Sequence, residues 1–203
     1  MNQDRKQDWE EDGDPWTVKA VRRSYETQWF AVDDHDVINP AGNPGHYGVI
    51  RVPRVAVGVI PIEPDGTVHL VGQWRFPLGR YSWEIPEGGS DPGEAPEACA
   101  RRELAEETGL RAATLIKVLE MDLSNAVTDE RSVSFLAFGL TPGETSPDET
   151  EVLKRRTAPF AEVLRRCADG RIRDAITVAT VLRAHHMAVT GELPPELAQV
   201  LLS

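Results

Sequence analysis

Residues 88–110, GGSDPGEAPEACARRELAEETGL, constrain this chain more than any other segment. Pro96 suits a first helical turn, where its missing N–H costs nothing, and Gly109 suits the position just past a helix end. The spacing therefore predicts a helix from about Pro96 to Thr108, with Ala98, Cys99 and Leu104 turned to the core. Glu103, Glu106 and Glu107 follow Arg102 at spacings of three and four, which puts them on one helical face. Like charges gathered there repel. The face is then either a solvated acidic surface or a holder for a hard divalent cation, Mg2+ or Mn2+, which takes oxygen ligands. Gly88 and Gly89 allow a tight loop whose backbone can approach a metal or phosphate closely.

The wider spacing favours the second reading. Gly88, five residues, Glu94, seven residues, then Arg102-Glu103-Leu104-Ala105-Glu106-Glu107-Thr108-Gly109-Leu110 resembles the Nudix box at all nine defining positions over 23 residues. The resemblance implies an α/β/α sandwich with a mixed sheet, and a hydrolase that cleaves a diphosphate with the help of Mg2+ or Mn2+. It implies that Glu103, Glu106 and Glu107, with the backbone carbonyl of Glu87, hold the metal. It also implies that Glu94 and Arg102 form an ion pair bracing the loop, with Gly88 and Gly109 as structural positions. The plain alternative for Glu94 is a helix N-terminal carboxylate favoured by the dipole.

Composition agrees with a small enzyme. A chain of 203 residues can bury a sizeable core, and no apolar run approaches the roughly 20 residues that span a membrane. The opening MNQDRKQDWEEDGDPW is acidic and lacks an apolar core, so no signal peptide is expected. Cys99 and Cys167 do not imply a disulfide, which fits a reducing cytoplasm. A net charge of −11 argues against a nucleic-acid partner. It would also repel a diphosphate unless bound cations invert the local field, so the reading requires the cation.

Residues 1–14 are expected to be disordered and 15–54 to form a small strand subdomain; 55–203 would be the catalytic domain. RVAVGVIPI and TVHLVGQWR flank Glu63-Pro64-Asp65-Gly66, a hairpin signal. A short strand from Tyr81 to Pro86 leads into the box. AATLIKVLEMDL and VSFLAFGL read as strands, Thr141 to Thr150 as a polar loop, Pro159 to Cys167 as a helix, and Asp174 caps a longer one to about Val189. His185 and His186 are adjacent and so point to different faces, which makes them a poor metal pair.

Outside the box, Gln28-Trp29-Phe30, Gln73-Trp74-Arg75, Trp83-Glu84-Ile85-Pro86 and Gly170-Arg171-Ile172-Arg173-Asp174 resemble the branch of that family comprising ADP-ribose and nucleoside-diphosphate-sugar pyrophosphatases. That branch implies cleavage to a nucleoside monophosphate and a sugar phosphate, with Arg75 on the diphosphate or terminal ribose and Glu84 beside substrate or metal. An arginine fork suits phosphate oxygens, although a surface salt bridge would also account for it. The branch further implies a homodimer with exchanged N-terminal strands, where Tyr25, Trp29 and Phe30 are the aromatics available to stack on the base; core packing is the plain alternative for each. The general base is implied to come either from a loop after the box, here Glu149 or Glu151, or from Glu106 or Glu107. The segment Asp122 to Val127 lacks a proline common in ADP-ribose enzymes, which leaves GDP-mannose and other ADP-sugars open as substrates. Dinucleoside polyphosphates, oxidised nucleotides and coenzymes form a second substrate class, and a non-catalytic nucleotide sensor a third reading.

Overall fold

A computed structural model describes residues 13–143 and 153–203. Most of the acidic N-terminal segment, and Glu149 and Glu151 with it, lie outside the described residues. Backbone proximity divides the chain into two units, residues 1–52 with 126–128, and residues 53–125 with 129–203.

The first unit is an antiparallel sheet in the order β1 (Thr17–Glu26), β2 (Ala31–Ile38), β3 (Pro44–Arg51). β2 alternates strictly, burying Ala31, Asp33, His35 and Val37. Two of those four are polar and carry partners. Asp33 accepts from Arg23 at 2.6 Å and from Arg51 at 3.4 Å, while His35 Nδ1 lies 3.2 Å from the Tyr47 carbonyl. β1 is exposed along its whole length.

The second unit holds the helix announced by the sequence. Its strands are β4 (Ala56–Pro61), β5 (Thr67–Arg75), β6 (Arg80–Glu84), β7 (Glu87–Gly89), β8 (Leu110–Asp122), β9 (Arg131–Pro142) and β10 (Lys154–Pro159). Its helices are α1 (Pro96–Thr108), α2 (Phe160–Ala168), α3 (Ala175–Thr190) and α4 (Pro195–Leu201). One sheet runs β7-β4-β9-β8 and the other β10-β5-β6, with β4 parallel to β9 and the remaining pairs antiparallel. Alternation along β4 decides the layers. Val57 and Val59 join Val133, Phe135 and Ala137 against Cys99, Ala100 and Leu104 of α1. Ile60 and Leu136 face the other way, into the cluster with Phe160 and Val163 of α2 and with Ile176, Val181 and Ala184 of α3. The result is the expected α/β/α sandwich. Gly58 is what lets α3 approach, since a Cβ there would stand 2.7 Å from an Ile176 methyl group.

Three expectations need correction. The reversal at Glu63–Gly66 forms, with Glu63 N–H bonded to the Thr67 carbonyl at 2.8 Å, but its arms are not a hairpin. They meet only at Ile62–Val68 and then part into different sheets. Turn chemistry is local and fixes the reversal; β4, buried on both faces, is drawn beside parallel β9 between layers of helix. Ala98 is exposed, because the phase that turns Cys99, Ala100 and Leu104 inward leaves it outside. The glycines 88 and 89 are not a loop but an edge strand, paired with Val57 and Ala56. Two elements, β10, which has no apolar alternation, and the short α4, are not among those the sequence indicates.

Candidate active site

α1 is bounded as its sequence requires. Pro96 opens it, and Gly109, at φ 75°, closes it by donating its N–H to the Ala105 carbonyl at 2.9 Å. Two of the three box glutamates are buried, Glu103 and Glu107, while Glu106 keeps about a third of its side chain exposed at 35%. Charged side chains are buried only when something compensates them. Arg102 does so in part: it donates to Glu103 at 2.7 Å, to Glu106 at 3.0 Å, to both oxygens of Glu94 at 3.0 and 2.9 Å, and to the Gly89 carbonyl at 3.1 Å. The Arg102 hydrogen bond holds the Glu94 carboxyl down to about 2. Glu94 and Arg102 thus tie the chain before α1 to the helix and to β7.

β7 meets the helix at two points. Glu107 accepts the backbone N–H of Glu87 at 2.9 Å. At Gly88 a Cβ would lie 2.2 Å from a Glu103 carboxylate oxygen, so only glycine lets that carboxylate settle against the strand.

The β10-β5-β6 sheet supplies the opposite charges. Register places Arg155, Val71 and Glu84 side by side, so Arg155 and Glu84 share a face with Arg75 four pairs further along. Arg75 does not point at open solvent. Its Nε lies 3.0 Å from each Glu84 oxygen, and its Nη2 is 2.5 Å from Glu84 and 3.0 Å from Glu87. Arg155 donates to the Glu107 carbonyl at 2.5 Å, serving a backbone acceptor in the last turn of α1.

A third element closes the site. Asp174 caps α3 by accepting the Thr177 N–H at 2.7 Å, and the Thr177 hydroxyl accepts the Ile85 N–H at 3.0 Å. This brings the Asp174 carboxylate to Glu84 and Glu87, with one oxygen of each within 4.8 Å of the others. Burial first, then the charges of Asp174 and Glu84, push the Glu87 carboxyl well above the usual carboxylate range, against the pull of Arg75. Its Oε2 is buried and has no hydrogen-bond partner among the described residues. Oxygen-only donors, crowded charge and an orphaned carboxylate oxygen suit a hard divalent cation. Glu84, Glu87 and Asp174 thus fit a hard divalent cation of the kind the motif implies, although they are not the glutamates to which the motif assigns it.

The folded chain therefore brings together Glu87, Gly88, Glu94, Arg102, Glu103, Glu106 and Glu107, with Gly109 closing their helix, and sets Arg75 and Glu84 beside Glu87. Trp29 and Phe30 belong to the first unit, where the Phe30 and Tyr25 rings lie 5.9 Å apart and Trp29 is 59% exposed. Two residues enter unannounced. Asp174 reads in sequence as a helix cap, and that role gave no reason to bring it here. Arg155 sits in a basic triplet, Lys154-Arg155-Arg156, whose alternation would have singled it out only had the strand been recognised. Cys99, on the buried face of α1, is closed off from solvent, and burial pushes its thiol up to about 12. His185 and His186 end α3, and no metal group among the described residues includes them.

A helix carrying the box glutamates against a mixed sheet, with glycine at the point of closest approach, defines a Nudix fold and site. A model of the NUDIX domain matches residues 52–179, and the chain belongs to the NUDIX family. It is 35% identical over 144 residues to the ADP-ribose pyrophosphatase of Mycobacterium tuberculosis (strain ATCC 25618 / H37Rv), covering 69% of each chain. It is 34% identical over 126 residues to the GDP-mannose pyrophosphatase of Yersinia enterocolitica serotype O:8 / biotype 1B, covering 57% of this chain and 65% of that one. A crystal structure titled as an ADP compounds hydrolase superposes with a TM-score of 0.80 at 22% identity, covering 91% of this chain and 100% of that one, which is a likeness of fold.

Proposed function

We propose that this protein hydrolyses the diphosphate bond of ADP-ribose or a nucleoside-diphosphate sugar, with Mg2+ or Mn2+, giving a nucleoside monophosphate and a sugar phosphate. The observation that carries this reading is the delivery of two buried carboxylates, Glu103 and Glu107, against the Glu87–Gly89 strand. The names of the pyrophosphatase relatives support the substrate class. A divalent cation bound by Glu103, Glu106, Glu107 and the Glu87 carbonyl would supply charge neutralisation on the diphosphate and acidify the attacking water. Arg75 meets the diphosphate or terminal ribose, and Glu84 lies beside the substrate or a metal. Gly88, Glu94, Arg102 and Gly109 fix the backbone that presents these groups. The proton of the attacking water goes to a carboxylate, with Glu106 and Glu107 as candidates in the described residues and Glu149 and Glu151 as candidates beyond them. The N-terminal strands act as a subdomain for pairing two chains, with Trp29 and Phe30 available to the base; the exposed length of β1 supports that role. A reducing cytoplasm suits the two free cysteines.

A substrate panel with Mg2+ tests the proposal. ADP-ribose or a nucleoside-diphosphate sugar should give the best kcat/KM, EDTA should abolish turnover, and the products should be a nucleoside monophosphate and a sugar phosphate. A panel won by 8-oxo-dGTP or a diadenosine polyphosphate by about tenfold or more, some 1.4 kcal/mol of transition-state binding, refutes it.

A further inference from the structure

Arg75 is held by the carboxylates a cation would need. All four of its hydrogen bonds go to Glu84 and Glu87, and its guanidinium fills the space between them. Asp174 adds a third carboxylate at the same place. Counted as charges, three carboxylates face one guanidinium. Glu84 is 3% exposed at its side chain and Glu87 11%, so water relieves little of the excess. Glu87 Oε2 is buried and has no hydrogen-bond partner among the described residues. A guanidinium offers one charge spread over a plane, whereas a divalent ion offers two at a point, within reach of an oxygen from each acid.

We propose that Arg75 and a divalent cation additional to the one on the box glutamates exchange on these carboxylates: this cation takes Glu84, Glu87 and Asp174, and the released guanidinium turns to the diphosphate of the substrate. The inference rests on the hydrolase reading and adds an order of events to it. Without metal, Arg75 is neutralised within the protein and the site stays closed to anions. With metal, the same residue becomes a phosphate ligand. Anion binding is thereby coupled to metal occupancy through one side chain with two sets of partners.

The coupling can be read without turnover. Manganese binding to the protein alone, followed as loss of free Mn2+ signal in electron paramagnetic resonance, should tighten about three- to tenfold in Arg75→Met, since a competing unit charge is removed from the site. In metal-free protein, Glu84→Gln keeps the shape but weakens the hold on Arg75, and inorganic pyrophosphate should bind about threefold or more tightly than to the wild type. If Arg75→Met folds poorly, the wild type suffices: the 15N-labelled Arg75 Nε resonance should shift on adding Mg2+. Equal or weaker Mn2+ binding by a folded Arg75→Met, or an Arg75 resonance unmoved at saturating Mg2+, overturns the exchange. Either result can stand beside normal hydrolysis of nucleoside-diphosphate sugars, so failure of the exchange is distinct from failure of the proposed function. Tighter Mn2+ binding with no hydrolysis of the panel would refute the function and leave the exchange standing.

Discussion

Replacing Gly88 by alanine isolates one consequence of the fold, the closeness of β7 to the Glu103 carboxylate. Gly88 is not among the glycines with positive φ, so alanine meets no backbone strain there. The new Cβ would stand 2.3 Å from the carboxylate carbon and 2.2 and 2.5 Å from its oxygens. Carbon atoms in contact prefer about 3.5 Å or more, so the carboxylate must retreat by roughly 1 Å. The flexible end of a glutamate can make that move, so the loss of stability should be small, about 1 kcal/mol. The cost falls on function, where a misplacement of about 1 Å is worth about a hundredfold in rate, some 2.7 kcal/mol. Gly88→Ala should therefore lose about two decades of kcat with Mg2+ while Tm stays within a few degrees of wild type. Gly109→Ala is the matching control. At φ 75° it meets backbone strain, of about 1 to 2 kcal/mol, and it should lower Tm more than Gly88→Ala does. Steady-state kinetics and thermal melts on both variants decide the matter. A Gly88→Ala enzyme within about threefold of wild-type kcat would refute the claim that this approach sets the position of Glu103.

Four further outcomes follow from the same geometry. Glu107→Gln can still accept the Glu87 N–H, so it should keep the fold, hold or raise Tm as a buried charge is removed, and lose about a hundredfold or more in kcat; unchanged kcat would remove Glu107 from the metal set. Arg155→Met removes the Arg155 hydrogen bond to the Glu107 carbonyl, and should cost about 1 to 2 kcal/mol of stability and lower kcat with little change in KM, with partial rescue by lysine; a pure KM effect would place Arg155 on the substrate instead. Glu94 has a folded pKa of about 2 against an ordinary 4.5, so its pairing with Arg102 stabilises fully above pH 4.5 and is lost as pH falls toward 2. Across that window wild-type Tm should fall more steeply than that of Glu94→Gln, and parallel curves would contradict the assignment. Light scattering should return about twice the 22.4 kDa chain mass, and a monomer at micromolar concentration would exclude the exchanged-strand dimer.

The sequence by itself determined the catalytic helix and most of its chemistry. Pro96, Gly109 and the three- and four-residue spacing of the glutamates are local rules, obeyed by the backbone wherever the helix is placed. For the same reason the Glu94–Arg102 pair, eight residues apart, was legible in the family pattern, and so was the cap at Asp174. Tertiary structure decided what lies beyond a turn or two. The reversal at Asp65-Gly66 is local and formed as read, while the partners of its two arms are not local, and β4 went to β9 from more than seventy positions away in the chain. Asp174 reaches Glu84 and Glu87 only because α3 starts beside Ile85, through a hydroxyl and a peptide N–H that belong to no motif. Arg155 reaches α1 only through the register of a strand with no apolar alternation. Arg75 was visible as a candidate for phosphate, but not as the present counterion of two acids. Side-chain spacing fixes which groups share a face; burial and long-range pairing fix which charges must then neutralise one another.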